Sequence, residues 1–432
     1  MKLLLPTLFI LFLAVAFVGA CSQTPYEINK ENASEILETL SSNEMRGRQA
    51  FTPDIDRAAD VIAGEFEEIG LSYFSNLENY RQEFSVIEYS IASHSVSVNG
   101  NIVSGDKHFG FVNGEEINWS PGSVSVAVIS EGDQFRSSFR EIMSSDENLL
   151  VFVDEAHAGI FDQYRGYFGQ RSSRVMEGEE GVSRYFLMAE PADDFDVAVT
   201  ANRQEMGLSN IVGKIEGDRR DEIVVFSAHY DHIGIQNVVE GDSIANGAND
   251  NASGVTAIIE LARHFESLEK PERTLLFVGF TAEEMGGYGS QYFSRQIDPD
   301  NIVAMFNIEM IGKPAVSGPN TAWITGYERS SFGELLSKSA EDSAFEFYPD
   351  PYPNQNLFYR SDNATLARLG VPAHTISTTP IDVDPDYHQV SDEFDTINLT
   401  HMTNTIRAIA NAAEGIVSGE DTPTRIDASQ VD

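Results

Sequence analysis

At 432 residues, 41% of them hydrophobic, the chain can bury a full core and hold one large domain plus a smaller one, which excludes a short disordered module. Its 68 acidic against 28 basic side chains, net charge -40, argue against nucleic acid or anionic lipid as partners, because both reward Lys and Arg. Such a balance fits a solvated acidic surface and says nothing about mechanism.

The first 21 residues read as a targeting segment: Lys2 is a minimal positive start, Leu3 to Val18 an apolar run short for a membrane span, and Val18-Gly19-Ala20-Cys21 a small-residue site. The segment resembles a bacterial lipoprotein signal, with Cys21 as the lipidated residue; the alternative is an ordinary secretory peptide cut near Ala20. Cys21 is the chain's single cysteine, so it has no disulfide partner within the chain. Ser22 after it resembles the outer-membrane sorting pattern, so the expected location is that of an exported lipoprotein whose only membrane contact is the anchor.

A polar tether over 22–30 leads into two predicted helices within 31–81. Asn32 is the expected cap of the first, with Ile36, Leu37 and Leu40 inward. Pro53 opens the second, whose Ile55, Ala58, Ala59, Ile62, Phe66 and Ile69 recur at helical spacing up to Gly70. From 82 to 205 alternating patches such as SHSVSVNGNIVSG and SVSVAVIS predict a β-rich insertion, either a subdomain that gates substrate or a decorated loop region.

From 206 to 418 strands and helices alternate, the pattern of a sheet covered on both faces. Predicted strands are Glu222 to Ala228, Arg273 to Phe280, Ile302 to Ile308, Trp323 to Tyr327 and Val371 to Ile376, and predicted helices begin at Ser253, Tyr288 and Leu399. The expected fold is therefore α/β: three αβα layers around a mixed, mostly parallel sheet, plus the insertion. The polar tail, 419–432, is expected to be disordered.

Carboxylates and imidazoles cluster where these strands run out: His229 and Asp231 in HYDHIG, Asp250 in GANDNASG, Glu283 and Glu284 in TAEEMGG, Glu309 in NIEM, and His388 in YHQVSDEFDT. Ligands bind beyond the carboxyl ends of strands in open α/β sheets. An H-x-D pair at a strand terminus lets an imidazole meet a metal while a carboxylate fixes its tautomer. Alone, paired glutamates after a strand read better as a solvated helix start; with the other fragments they point to a two-metal hydrolytic site.

HYDHIG, GANDNASG, AEEMGGYGS, NIEMIG and YH...SD resemble, in order and spacing over roughly 210–398, the co-catalytic zinc exopeptidases of metallopeptidase family twenty-eight, the bacterial leucyl aminopeptidase and glutamate carboxypeptidase II type. MRGRQ and the F-x-x-I-G-L segment resemble the family's amino-terminal portion, and the insertion stands where members often carry a protease-associated domain. The resemblance implies two zinc ions, or another divalent pair: one held by His229 and Glu309, one by Glu284 and His388, with Asp250 bridging. It implies Glu283 as general base, Asp231 as the orienting carboxylate and Tyr387 as an oxyanion donor, with packing the alternative for that tyrosine. Asp392 is expected to orient His388.

Two positions depart from the family pattern. Glu309 stands where many members have Asp, a longer side chain at a ligand position, and Asn363 where members often have His in a pocket loop. His232 borders the site as substrate contact or structural residue, while His94, His108, His157, His264, His374 and His401 lack ligand-like company and read as surface or core. The implied activity is peptide hydrolysis, foremost by an aminopeptidase. Its rivals are a carboxypeptidase, for which Arg360 is the candidate clamp, and a non-catalytic receptor-like relative.

Overall fold

The computed structural model describes residues 25–169 and 171–431; the expected signal over 1–21, with Cys21, lies outside them. The chain is already packed at the end of the predicted tether: Ile28 is buried, and the Tyr26 hydroxyl meets the Glu260 carboxylate at 3.0 Å. Helix α1 (Lys30–Leu40) is capped by Asn29, whose side chain accepts from the Asn32 N–H, so the expected cap is displaced by one turn. Helix α2 (Asp54–Ile69) follows Pro53 and stops at Gly70, whose φ of 89° suits a residue without Cβ.

Strand β1 (Arg81–Val98) leaves the main sheet and enters the insertion, which contains β2 (His108–Phe111), β3 (Ser125–Ile129), α3 (Phe135–Ser144), β4 (Leu149–Val153), α4 (Ala158–Phe168) and β5 (Arg184–Met188). The chain returns along β6 (Phe195–Ile215), paired antiparallel with β1 along its length, so the expected boundaries at 82 and 205 fall inside continuous strands. The insertion is β-rich as expected, with α3 and α4 packed on its sheet. Its sheet, ordered β2-β5-β4-β3, packs Phe109, Val151 and Phe186 against the helices and Phe152, Tyr185 and Leu187 against the extended β1/β6 pair. Burial on both faces explains why β4 reads LLVFV, without alternation.

The main sheet continues with β7 (Arg219–His229), α5 (Ser253–Glu266), β8 (Arg273–Phe280), α6 (Tyr288–Arg295), β9 (Ile302–Ile308), β10 (Thr321–Ile324), α7 (Phe332–Ser339), β11 (Glu346–Pro349), α8 (Asn363–Ala367), β12 (Ala373–Ser377) and α9 (Leu399–Val417). Its order is β11-β10-β12-β9-β7-β8-β6-β1, with β8, β7, β9 and β12 parallel and β6 antiparallel to β8. Val224 and Phe226 of β7 pack with α1, α2, α5 and α9, while Val225 packs on the other face with Phe293 of α6 and Leu366 of α8. The period-two alternation of burial partners is the three-layer αβα arrangement.

The tail expected to be disordered is held down. Arg273 donates to the Asp421 carbonyl and the Thr422 hydroxyl, and Ile426 is buried against the α6/α8 layer. Ser253 begins α5 without capping it; its hydroxyl donates to the Asn249 carbonyl. Among the described residues no helix is long and apolar enough to cross a membrane.

Candidate metal centre

Each predicted site residue sits just beyond, or at, a strand's carboxyl end. His229 ends β7, with Asp231 and His232 in the next turn; Asp250 lies in the loop before α5; Glu283 and Glu284 follow β8; Glu309 follows β9; Tyr387 and His388 lie beyond β12. Asparagines latch the Asp250 loop to the end of β9: Asn251 Oδ1 accepts from the Met310 N–H (3.1 Å) and Asn249 Oδ1 from Gly312 (2.9 Å). Lys313 then ties that segment to the His388 loop through Asp384 (2.5 Å) and Asp386 (2.7 Å).

These loops bring the donor atoms together. His229 Nε2 is buried, has no hydrogen-bond partner among the described residues, and faces Asp250 Oδ1 at 3.3 Å and Glu309 Oε1 at 3.6 Å. His388 Nε2 faces the other oxygen of Asp250 at 3.3 Å and Glu284 Oε2 at 3.1 Å. Asp250 thus offers one oxygen to each imidazole, as an aspartate shared between two cations would. An unpartnered buried imidazole nitrogen among carboxylate oxygens fits a borderline-soft divalent ion such as zinc. Donors of His229, Asp250 and Glu309 lie within 4.8 Å of one another, as do those of His232, Asp250 and Glu284.

His232 therefore competes with His388 for the second set. Its Nδ1 is 2.9 Å from Glu284 Oε1, but its ring is wholly buried, whereas His388 lines the open cavity. That places His232 behind Glu284 as its support and His388 as the donor that solvent and substrate can approach. Of the two sequence readings of His232, the structural one holds.

Electrostatics follow from crowding. Burial raises Asp250, but bonding with His229 and His388 dominates and holds it well below the usual carboxylate range. Glu284 is likewise raised by burial and by Asp250, yet His232 and His388 bring it to about 2. His388 is lowered by burial, and the two carboxylates override this and push it up to about 10. Glu283 differs: burial and the neighbouring carboxylates hold it well above its ordinary value, with only His229 pulling strongly the other way. Two adjacent glutamates thus have opposite proton affinities.

Two expected contacts are replaced. The Asp231 carboxylate accepts the backbone N–H groups of Glu283 (3.0 Å) and Glu284 (3.3 Å), while its carbonyl, at 3.2 Å, faces His229 Nδ1. Asp231 thus fixes the glutamate turn as well as the imidazole. Asp392, expected beside His388, instead accepts the N–H groups of Asn249 and Asp250, because the loop preceding α5 turns its unpaired amides towards it. Asn363 is fully buried and its side chain meets Thr375 (2.8 Å) and the Phe358 carbonyl (3.0 Å); it shapes the pocket loop without lining the pocket.

Arg48 was not singled out by the sequence. Fully buried, it donates to the carbonyls of Tyr230 (2.9 Å), Leu40 (2.6 Å), Asn246 (2.6 Å) and Gly247 (3.0 Å), while its own carbonyl accepts from the His232 N–H. One guanidinium thereby joins the His229 turn to the Asp250 loop. Burial lowers it to about 10 against the pull of Asp392, Asp250 and Asp231. Gly47 is required beside it, since a Cβ there would lie 2.4 Å from the Ala245 carbonyl oxygen.

A cavity of about 230 Å³ opens on the centre, walled by Glu283, Met310, Trp323, Arg360, Ile381 and Tyr387 among others. The Tyr387 ring stacks on His388 with centroids 4.0 Å apart, and its hydroxyl accepts from Arg360 at 3.2 Å.

Fold and donors together define an α/β domain with a candidate metal centre at the carboxyl ends of its strands. Residues 210–413 match the profile of Peptidase family M28. BSAP, a zinc aminopeptidase from Bacillus subtilis, has a similar fold, with a TM-score of 0.56 at 16% identity over 94% of this chain and 98% of that one. An aminopeptidase from Aneurinibacillus sp. strain AM-1 gives 0.54 at 18% identity over 90% and 94%. Among curated sequences, a probable zinc metalloprotease of Pyricularia oryzae is 36% identical over 40% of this chain and 32% of its own length. LpqL, a probable lipoprotein aminopeptidase of Mycobacterium tuberculosis, is 25% identical over 48% and 45%. The chain spans less than half the length of these curated relatives.

Proposed function

We propose that the protein is a two-zinc exopeptidase, foremost an aminopeptidase, that hydrolyses peptide bonds with water. One observation carries this reading: Asp250 stands between His229 with Glu309 on one side and His388 with Glu284 on the other, beside the proton-holding Glu283. His229, Glu309 and Asp250 would hold one ion and His388, Glu284 and Asp250 the other. Zinc bound there supplies Lewis-acid polarisation of the scissile carbonyl and makes water more acidic. Glu283, free of side-chain hydrogen bonds among the described residues and facing the cavity, takes the water proton and returns it to the leaving amine. Asp231 keeps the Glu283 backbone in place, and Tyr387 donates its hydroxyl to the developing oxyanion.

The names of LpqL and of the structural neighbours favour the amino-terminal reading. Arg360 in the cavity wall favours the second one, a carboxypeptidase or dipeptidase that clamps a substrate carboxylate. The purified protein, assayed with and without chelator on free-amino, blocked-amino and blocked-carboxyl peptides, separates the two. Cleavage of blocked-carboxyl but not blocked-amino peptides is expected, abolished by chelator and restored by zinc; the reverse end preference overturns the aminopeptidase assignment. Glu283→Gln is expected to lower kcat/KM by about 10²- to 10⁴-fold with zinc content unchanged, and undiminished turnover removes its assignment as base. We also propose lipid anchorage at Cys21 of an exported, outer-membrane-facing form, from the small-residue site preceding that cysteine; a Cys21→Ser protein that still incorporates labelled fatty acid excludes it.

A further inference from the structure

The insertion carries a second constellation that the peptidase reading does not use. Between β1, β2 and α4 lies a cavity of about 300 Å³, at the lower end of the range typical of small-ligand pockets. His94, His108 and Arg165 line it together with the backbone of Gly105, Gly110 and Gly166, and no carboxylate does, in a chain of net charge -40. His94 is exposed and His108 buried, the surface and core placements expected from the sequence, and their rings meet edge to face with centroids 4.5 Å apart.

The hydrogen-bond inventory is incomplete on the donor side. His108 is 4% exposed, and its Nδ1 lies 2.8 Å from the Tyr185 hydroxyl. Tyr185 is fully buried and burial raises its pKa, so its O–H keeps the proton and donates to Nδ1. The second ring nitrogen of His108 is then an N–H donor, and it has no protein acceptor among the described residues. Arg165 Nε is buried without a partner among the described residues, while the side chain as a whole is 35% exposed, approaches Asp162 at 3.6 Å and feels the charge of Asp106. A buried donor on Arg165 and a second donor on His108 that opens to the cavity, from separate elements, both lack a protein acceptor among the described residues and ask for one.

We propose that this cavity is a binding site for a compact oxyanion, phosphate or the carboxylate of a small organic acid, gripped by Arg165 and His108 with His94 at the rim. An oxyanion supplies the missing acceptors and pairs with the charge of Arg165. The site is independent of the metal centre and stands whether or not the peptidase reading does.

Calorimetric titration of the full-length, zinc-loaded protein with inorganic phosphate, with succinate and with zinc chloride tests it, followed by histidine-labelled NMR. Saturable binding of phosphate or succinate with Kd below about 1 mM is expected, weakened at least tenfold in Arg165→Gln and His94→Gln, with shifts in the His94 and His108 resonances. The phosphate and succinate arms decide between the two sources. Peptide hydrolysis by both variants is expected to match the unsubstituted protein, and matching circular dichroism shows that they fold. No saturable binding, binding that both substitutions leave unchanged, or a zinc site lost in His94→Gln overturns the proposal.

Discussion

The insertion and the metal centre of the α/β domain are held together by different physics. In the insertion, Phe109, Phe139 and Phe186 stack or tilt against one another at centroid separations of 5.0 to 5.1 Å, and non-directional burial does the work. Around the centre, Arg48, Asp231, Asp392 and the asparagines beside Asp250 each satisfy backbone groups of loops distant in sequence. Apolar packing specifies volume and tolerates substitutions that conserve it. A polar network specifies direction, and removing one member leaves the others buried without partners. The contrast teaches where function should be fragile while stability is not.

The sharpest way to break that comparison is Asp250→Asn. It removes the carboxylate shared by both donor sets and should abolish zinc retention and hydrolysis together while circular dichroism stays native; an active variant would mean that Asp250 is no bridge. Phe186→Ala should do the opposite, lowering stability by about 3–5 kcal/mol in denaturant titration while the folded fraction keeps its zinc stoichiometry. Arg48→Lys lies between the two. A lysine cannot reach four carbonyls in the same plane, so stability should fall by on the order of 3 kcal/mol, and zinc should dissociate faster because the His229 turn and the Asp250 loop are no longer joined. Loss of stability without faster zinc release would make Arg48 a packing residue only.

The same division decides what could be read in the sequence. Strands such as RTLLFVGF announce themselves by uninterrupted apolar runs, and ligand-type residues placed directly after them were visible as a set. Arg48 was not, because an arginine in MRGRQ looks like any surface arginine until a carbonyl 198 residues away closes over it. Asp392 shares a fragment with His388 and was assigned to it, but the acceptor it provides is needed by two amides before α5. Helix α3 carries Phe135, Phe139 and Ile142 at helical spacing, yet its serines and the alternating stretches around it favoured strand. The tail misled because its polarity is real: its hold comes largely from hydrogen bonds to distant residues, Arg273 to Asp421 and Arg425 to the Ile302 carbonyl among them, together with the buried Ile426.

The smallest expected effect separates buried histidines within the α/β domain. His374 is fully buried, with Nδ1 2.8 Å from the Thr325 carbonyl and Nε2 2.7 Å from the Ser330 hydroxyl, so both nitrogens are satisfied in the neutral form. Burial lowers its pKa to about 4, opposed only by the Thr325 contact. An unfolded histidine titrates near 6.5, so between these values the unfolded chain binds the proton that the folded one refuses. Stability is therefore lost as pH falls through 6.5, and the loss levels off below about 4. At pH 5.5 the difference amounts to about 1.4 kcal/mol. Denaturant titrations at pH 7.5 and 5.5 should show that His374→Gln is less stable at both values but loses about 1.4 kcal/mol less between them. An unchanged pH slope would mean that His374 takes up a proton in the folded core, which its burial and the nearby Arg329 charge oppose.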